Sequence, residues 1–202
     1  NQPRIASWNL ARFAETLLPL LTEHPEQAVE LATAVLQDFN GLNEAEFLRL
    51  MAAKIGLVKA TNADEVLIRD LLNLMSANKA DFSQSFRLLS QSVTDSNAGA
   101  AKLFAEQQGW QNWAALWQQR LGAQGIALST VQQQMDNTNP AVIPRNHLIA
   151  DAIALATEQA ELSLFNRLHK ALRTPFTLAD ADADFALPPT AAECIANTFC
   201  GT

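Results

Sequence analysis

The fold is read from Asn139-Pro140-Ala141-Val142-Ile143-Pro144-Arg145-Asn146-His147-Leu148-Ile149-Ala150. Asn139-Pro140 is a helix-start dipeptide, and a second proline follows within four residues. An Arg-Asn pair then leads into a run of Ala, Leu and Ile. Proline is tolerated in the first turn of a helix, where its missing amide donor is not needed. The order therefore predicts a long helix opened by Pro140 and Pro144 and running through Glu158.

Outward from this stretch the signal stays helical. Seven glycines and no tyrosine, with abundant Ala, Leu and Gln, favour helix over strand. Trp8, Ala11, Leu18 and Leu21 recur at helical spacing between Ser7 and Leu21, with Leu17 beside them. Pro25 opens a second helix that ends near Gly41. Asn43 with Glu46 forms a capping-box arrangement that starts a third, stopped at Gly56. Asn62 and Glu65 repeat that signal ahead of Val66, Leu67, Leu71 and Leu74. Asp81 begins a helix carrying Phe82, Phe86 and Leu89. Further helices are expected over 97–107, 110–122, 129–137 and 162–172. The predicted architecture is all-α, an irregular bundle of about nine or ten helices. Residues 1–175 form the helical lobe and 176–202 an acidic, Pro-containing tail. Leu17, Leu71, Phe86 and Trp113 are the expected core positions. No period of 20–50 residues repeats, so a solenoid is disfavoured.

Bulk properties narrow the function classes. A chain of 202 residues with 49% apolar and 17% charged residues is globular and can bury a sizeable core. Its net charge of −7 argues against a nucleic-acid partner, because phosphate contacts need clustered Lys and Arg. No membrane partner is expected, since no apolar run reaches the ~18 residues of a membrane span. No signal-peptide pattern opens the chain, and a cytoplasmic location is expected. Position 1 is Asn, not Met, so the chain reads as a segment of something longer or a processed product. Its two cysteines, Cys194 and Cys200, do not make a secreted disulfide framework.

The familiar catalytic motifs are missing. His24, His147 and His169 are far apart, with no His-Glu-x-x-His zinc motif. Neither a Gly-rich phosphate loop nor a Gly-x-Ser-x-Gly elbow occurs. Asp180, Asp182 and Asp184 suggest a calcium loop, but Phe185 stands where such a loop needs Gly and Ala191 where it needs Glu. A solvated acidic loop is the expectation there. Glu158 and Glu161 are three apart on a helix and read as surface carboxylates. His147 is read as a partly buried polar residue near a helix start. Trp110, Trp113 and Trp117 fall on one helix face, at i, i+3 and i+7. Such a stripe either packs or grips a nucleotide base or peptide. Packing is the preferred reading, because each ring has a large apolar area to bury. Arg120 is placed to lie against the Trp117 ring.

The order of blocks along the chain resembles the SelO family of kinase-like protein adenylyltransferases. The resemblance begins with Asn1-Gln2-Pro3 and Trp8-Asn9-Leu10, then Lys54-Ile55-Gly56-Leu57. Leu71-Leu72-Asn73-Leu74-Met75, Asp81-Phe82 and Phe86-Arg87 follow. Asn139-Pro140 through Leu148 is the most specific match, ahead of Arg173-Thr174-Pro175-Phe176 and Pro188-Pro189. Cys200-Gly201-Thr202 matches the family's ending, with Cys or selenocysteine third from the end. Thr190-Ala191-Ala192 departs from it, where the family has an aromatic after Pro-Pro. The resemblance implies a kinase-like fold that binds ATP in a flipped orientation. It implies AMP transfer to Ser, Thr or Tyr hydroxyls with Mg or Mn.

In that family the ATP-holding lysine, its glutamate and the metal-binding Asn and Asp precede the Asn-Gln-Pro block. This chain would then be the C-terminal lobe region. Its expected partners are an N-terminal kinase-like catalytic lobe and protein substrates. No catalytic, cofactor-binding or metal residue is assigned to the chain, and no cofactor is expected in it. Cys200 and Cys194 are candidate redox residues. They could pair with each other, Cys200 could pair with a cysteine of the catalytic lobe, or both could remain free thiols. The alternative is an autonomous, non-catalytic helical interaction or scaffold module.

Overall fold

A computed structural model of the chain describes residues 2–95, 97–104 and 107–194. The described residues form eight α-helices and three short 3-10 segments, with no β-strand, so the all-α expectation holds. The helices are α1 (Gln2–Leu21), α2 (Pro25–Lys54), α3 (Asp64–Ala77), α4 (Phe82–Leu89), α5 (Gln107–Gly122), α6 (Leu128–Thr138), α7 (Asn146–Gln159) and α8 (Ser163–Leu172). The chain divides into two compact units at the step from Met51 to Ala52.

The first unit holds α1 and most of α2. No residue of α1 is buried, and Leu17 is only half-buried, against expectation. The two helices expected on either side of Gly41 and Asn43 are one 30-residue helix. A mid-helix glycine costs about 1 kcal/mol, which flanking good helix formers outweigh. Glu46 does not cap. Its carboxylate takes Arg49 at 2.6 Å, one turn on.

The second unit takes in the last residues of α2, from Ala52 to Lys54. Gly56 terminates the helix as expected, at φ +79°, and the Leu57 amide donates back to Ala52 O at 2.9 Å. A Cβ at Gly56 would sit 2.6 Å from Val131 Cγ1. Before α3, Asp64 rather than Asn62 does the polar work. It accepts from the Thr61 amide at 2.8 Å and hydroxyl at 2.9 Å. Asp81 caps α4, accepting from the Gln84 amide at 2.8 Å.

In place of the helix expected over 97–107, a 3-10 segment spans Gly99–Leu103. Gly99 has φ +55°, where the left-handed region interrupts a regular helix. Ser92 Oγ ties that turn down, donating to Ala98 O at 2.8 Å and accepting from the Ala100 amide at 3.1 Å.

The core of this unit is built on α5. Trp110, Trp117 and Leu121 are fully buried and Trp113 nearly so, alongside Ile55, Ile68, Leu71, Phe86 and Met135. Trp110 stacks on Phe104 with centroids 4.9 Å apart, and Trp113 on Trp117 at 5.4 Å. A smaller cluster joins Val142, Leu168, Ala171 and Phe185. Phe185 comes from the third 3-10 segment, Asp180–Ala186, so the tail contributes a core residue.

Candidate functional site

The stretch from Asn139 to Arg145 takes part in a dense polar cluster. Helix α7 begins at Asn146, not at Pro140. Pro144 disfavours helical backbone at Ile143. The Ala141 and Val142 amides instead donate to Pro175 O at 2.7 and 3.2 Å. Asn139 ends α6 rather than starting α7, and its side chain is completely buried. Its Nδ2 donates to Lys54 O at 2.8 Å, and its Oδ1 accepts from Lys54 Nζ at 3.3 Å. Lys54 Nζ also lies over the Phe86 ring, 5.3 Å from its centroid, and burial pushes the amine below its ordinary range. Arg87 donates to Asp136 O at 2.9 Å and Asn139 O at 3.2 Å.

Arg145 is the second centre. It is 7% exposed and pairs with Asp81 through both terminal nitrogens, at 2.9 and 3.0 Å. Its Nη2 also donates to Ala186 O at 3.1 Å, which fixes the tail to α4 and α7. Its buried Nε finds no partner among the described residues. The Arg145 hydrogen bonds, helped by the Gln84 amide, hold the Asp81 carboxyl below the usual range despite partial burial. At Asp64 burial pulls the carboxyl upward, but hydrogen bonds from Arg120 and Thr61 outweigh it and leave it below its ordinary value.

This arrangement is a clasp. Lys54, Arg87 and Arg145 donate to protein carbonyls, an amide and carboxylates, which satisfies buried polar groups that would otherwise be costly. Among the described residues no three His, Cys, Asp or Glu side chains gather as metal ligands. The clasp residues were missed as a group in the sequence. The one visible signal was Arg145 and Asn139 set among apolar residues, which marks partnered polar groups.

The other candidates fall as follows. The tryptophan stripe is core. Trp113 and Trp117 each donate Nε1 to a backbone carbonyl, Leu67 O and Ile55 O, at 2.8 Å. Arg120 leaves the Trp117 ring for Asp64, at 2.7 Å. Asp182 and Asp184 are held by Arg167 at 3.1 and 3.3 Å, and that guanidinium lies 4.6 Å over the Phe185 ring. The acidic loop is therefore anchored rather than simply solvated. His147 is half-buried in the first turn of α7, while His24, His169, Glu158 and Glu161 are exposed. Cys194 is exposed with a free thiol, and Cys200 lies outside the described residues.

A family profile described as "Protein adenylyltransferase SelO" matches residues 1–173. A protein of Alkaliphilus metalliredigens named "Protein nucleotidyltransferase YdiU" is 40% identical over all of this chain, which covers 40% of that protein. The Agrobacterium fabrum protein of the same name is 40% identical, with 42% of its length covered. A Clostridium botulinum relative of that name is 38% identical, with 40% covered. The chain thus spans about two-fifths of the length of the curated relatives it matches.

Proposed function

This chain belongs to the SelO family of protein adenylyltransferases, and from that premise we propose that it is the C-terminal helical part of an AMP-transferring enzyme. The substrate class is protein Ser, Thr or Tyr hydroxyls. In the transfer, the hydroxyl oxygen bonds to the α-phosphorus of ATP, pyrophosphate leaves, and the hydroxyl proton passes to a base or to water. Mg or Mn bound with the nucleotide stabilises charge on the phosphates. The residues described here do not fit that group. Their clustered cations are engaged by protein acceptors, the Asp81 and Asp136 carboxylates among them, and no three His, Cys, Asp or Glu side chains gather among the described residues. No step is therefore routed through this chain, and the nucleotide and metal are assigned to an N-terminal kinase-like catalytic lobe.

The role left to this chain is support and regulation of that lobe in a cytoplasmic enzyme. The observation that carries the reading is the clasp itself, joining the end of α2, α4, α6 and α7 to the tail. The tail it holds leads to Cys194 and Cys200, which we assign as the redox-responsive thiols. No helix of the described residues is long and apolar enough to cross a membrane. Isothermal titration of the chain with ATP and magnesium tests the assignment. No binding at micromolar concentration is expected, and micromolar binding would place a nucleotide site in this chain.

A further inference from the structure

We infer that the exposed apolar stripes of α1 and α2 seat the part of the polypeptide that the matched relatives possess beyond these 202 residues. The first unit has no core of its own. No residue of α1 is buried, and in α2 up to Met51 the buried residues are Ala28 and Met51, far apart along the helix. Yet both helices carry large apolar side chains at helical spacing. On α1, Ile5, Phe13 and Leu20 share a face and are 57%, 60% and 80% exposed. On α2, Leu31, Val35 and Leu42 share a face and are 49%, 71% and 69% exposed. Isolated helices are marginal in water, and most of their stability comes from packing an apolar face. A stripe this exposed marks a surface that another body covers.

Three occupants compete, and two fit poorly. A helix lying on an anionic membrane carries Lys and Arg along its polar face. The charged residues of α1 are only Arg4, Arg12 and Glu15, and α2 has five acidic residues against two basic ones. A second copy would need no additional chain, but additional chain exists in the relatives. These 202 residues are 40% of the Alkaliphilus protein, which is therefore about 505 residues long, with about 300 outside the match. That is enough to form a domain able to cover two helices. The inference rests on the reading above only in taking this chain to work within a longer polypeptide.

Hydroxyl-radical footprinting of the whole Alkaliphilus relative, read by mass spectrometry, tests it. After division by the intrinsic reactivity of each side-chain type, side chains aligned with Ile5, Phe13, Leu20, Leu31, Val35 and Leu42 should oxidise at least tenfold more slowly than those aligned with Val58 and Leu187. Both of these reference positions are exposed in the second unit. In this chain alone, at low concentration, the six should match Val58 on the same normalised scale. Equal rates in the whole relative would overturn the inference. So would protection lost on dilution, which would make the occupant a second copy, or protection already present in the isolated chain. AMP transfer measured on the same sample is independent: protection without transfer would count against the proposed activity and leave the docking surface standing.

Discussion

Trp117→Ala is the perturbation that separates a packed tryptophan stripe from a binding one. The Trp117 side chain is completely buried, stacks on Trp113 and donates to the carbonyl of the equally buried Ile55. Truncating a buried Trp costs about 3–5 kcal/mol through lost transfer energy and the cavity left behind. The Ile55 carbonyl would also lose its partner, worth about 1–3 kcal/mol where it stays dry. The loss should therefore lie at the top of the first range. Trp117→Phe keeps much of the packing but not the donor, so it should cost about 1–3 kcal/mol. Trp8 is 62% exposed, and Trp8→Ala should stay within about 0.5 kcal/mol. Urea denaturation of the 202-residue chain, followed by circular dichroism, measures all three. A loss below about 1 kcal/mol for Trp117→Ala would refute the packing argument and return the stripe to a binding role.

Other consequences can be checked on the same chain. Gly56→Ala should destabilise by about 1–3 kcal/mol, because its φ is left-handed and the new Cβ would meet Val131 and Met135. Phe185→Ala should cost about 3–5 kcal/mol and should speed proteolysis of the tail after Thr177, since Phe185 anchors the tail in the core. Lower pH should destabilise the chain. The Asp81 and Asp64 carboxyls are held below their ordinary range, so their contribution is present above the unfolded value of about 3.9. It is lost as pH falls through their folded values. In Asp81→Asn, stability measured against pH should fall less steeply below about pH 4.

Helix type was legible in the sequence wherever apolar spacing was long and regular, as in α3, α4, α5 and α8. Boundaries were legible where a residue could play only one part. Gly56 stops α2 because its left-handed φ ends a helix, and Asp81 caps α4 because its carboxylate meets a free amide. They were misread where a local signal has two uses. Asn43 and Glu46 spell a capping box, but Glu46 can pair with Arg49 inside a continuing helix. Asn139-Pro140 spells a helix start, but Asn139 is drawn into the clasp by Lys54, which is 85 residues away in sequence. The clasp itself was not legible for the same reason. Arg145, Asp81 and Ala186 meet only in three dimensions, and nothing in their local spacing announces the pairing.

The central claim is that this chain completes an AMP-transferring enzyme without holding the nucleotide. It is tested most directly by replacing the matched two-fifths of the Alkaliphilus relative with this chain. The chimera, the parent relative and the isolated chain are then incubated with ATP labelled in its α-phosphate, magnesium and protein acceptors. Label should enter protein with the parent and the chimera, and none should enter with the isolated chain. Labelling by the isolated chain, or a folded chimera that transfers nothing while its parent does, would contradict the account.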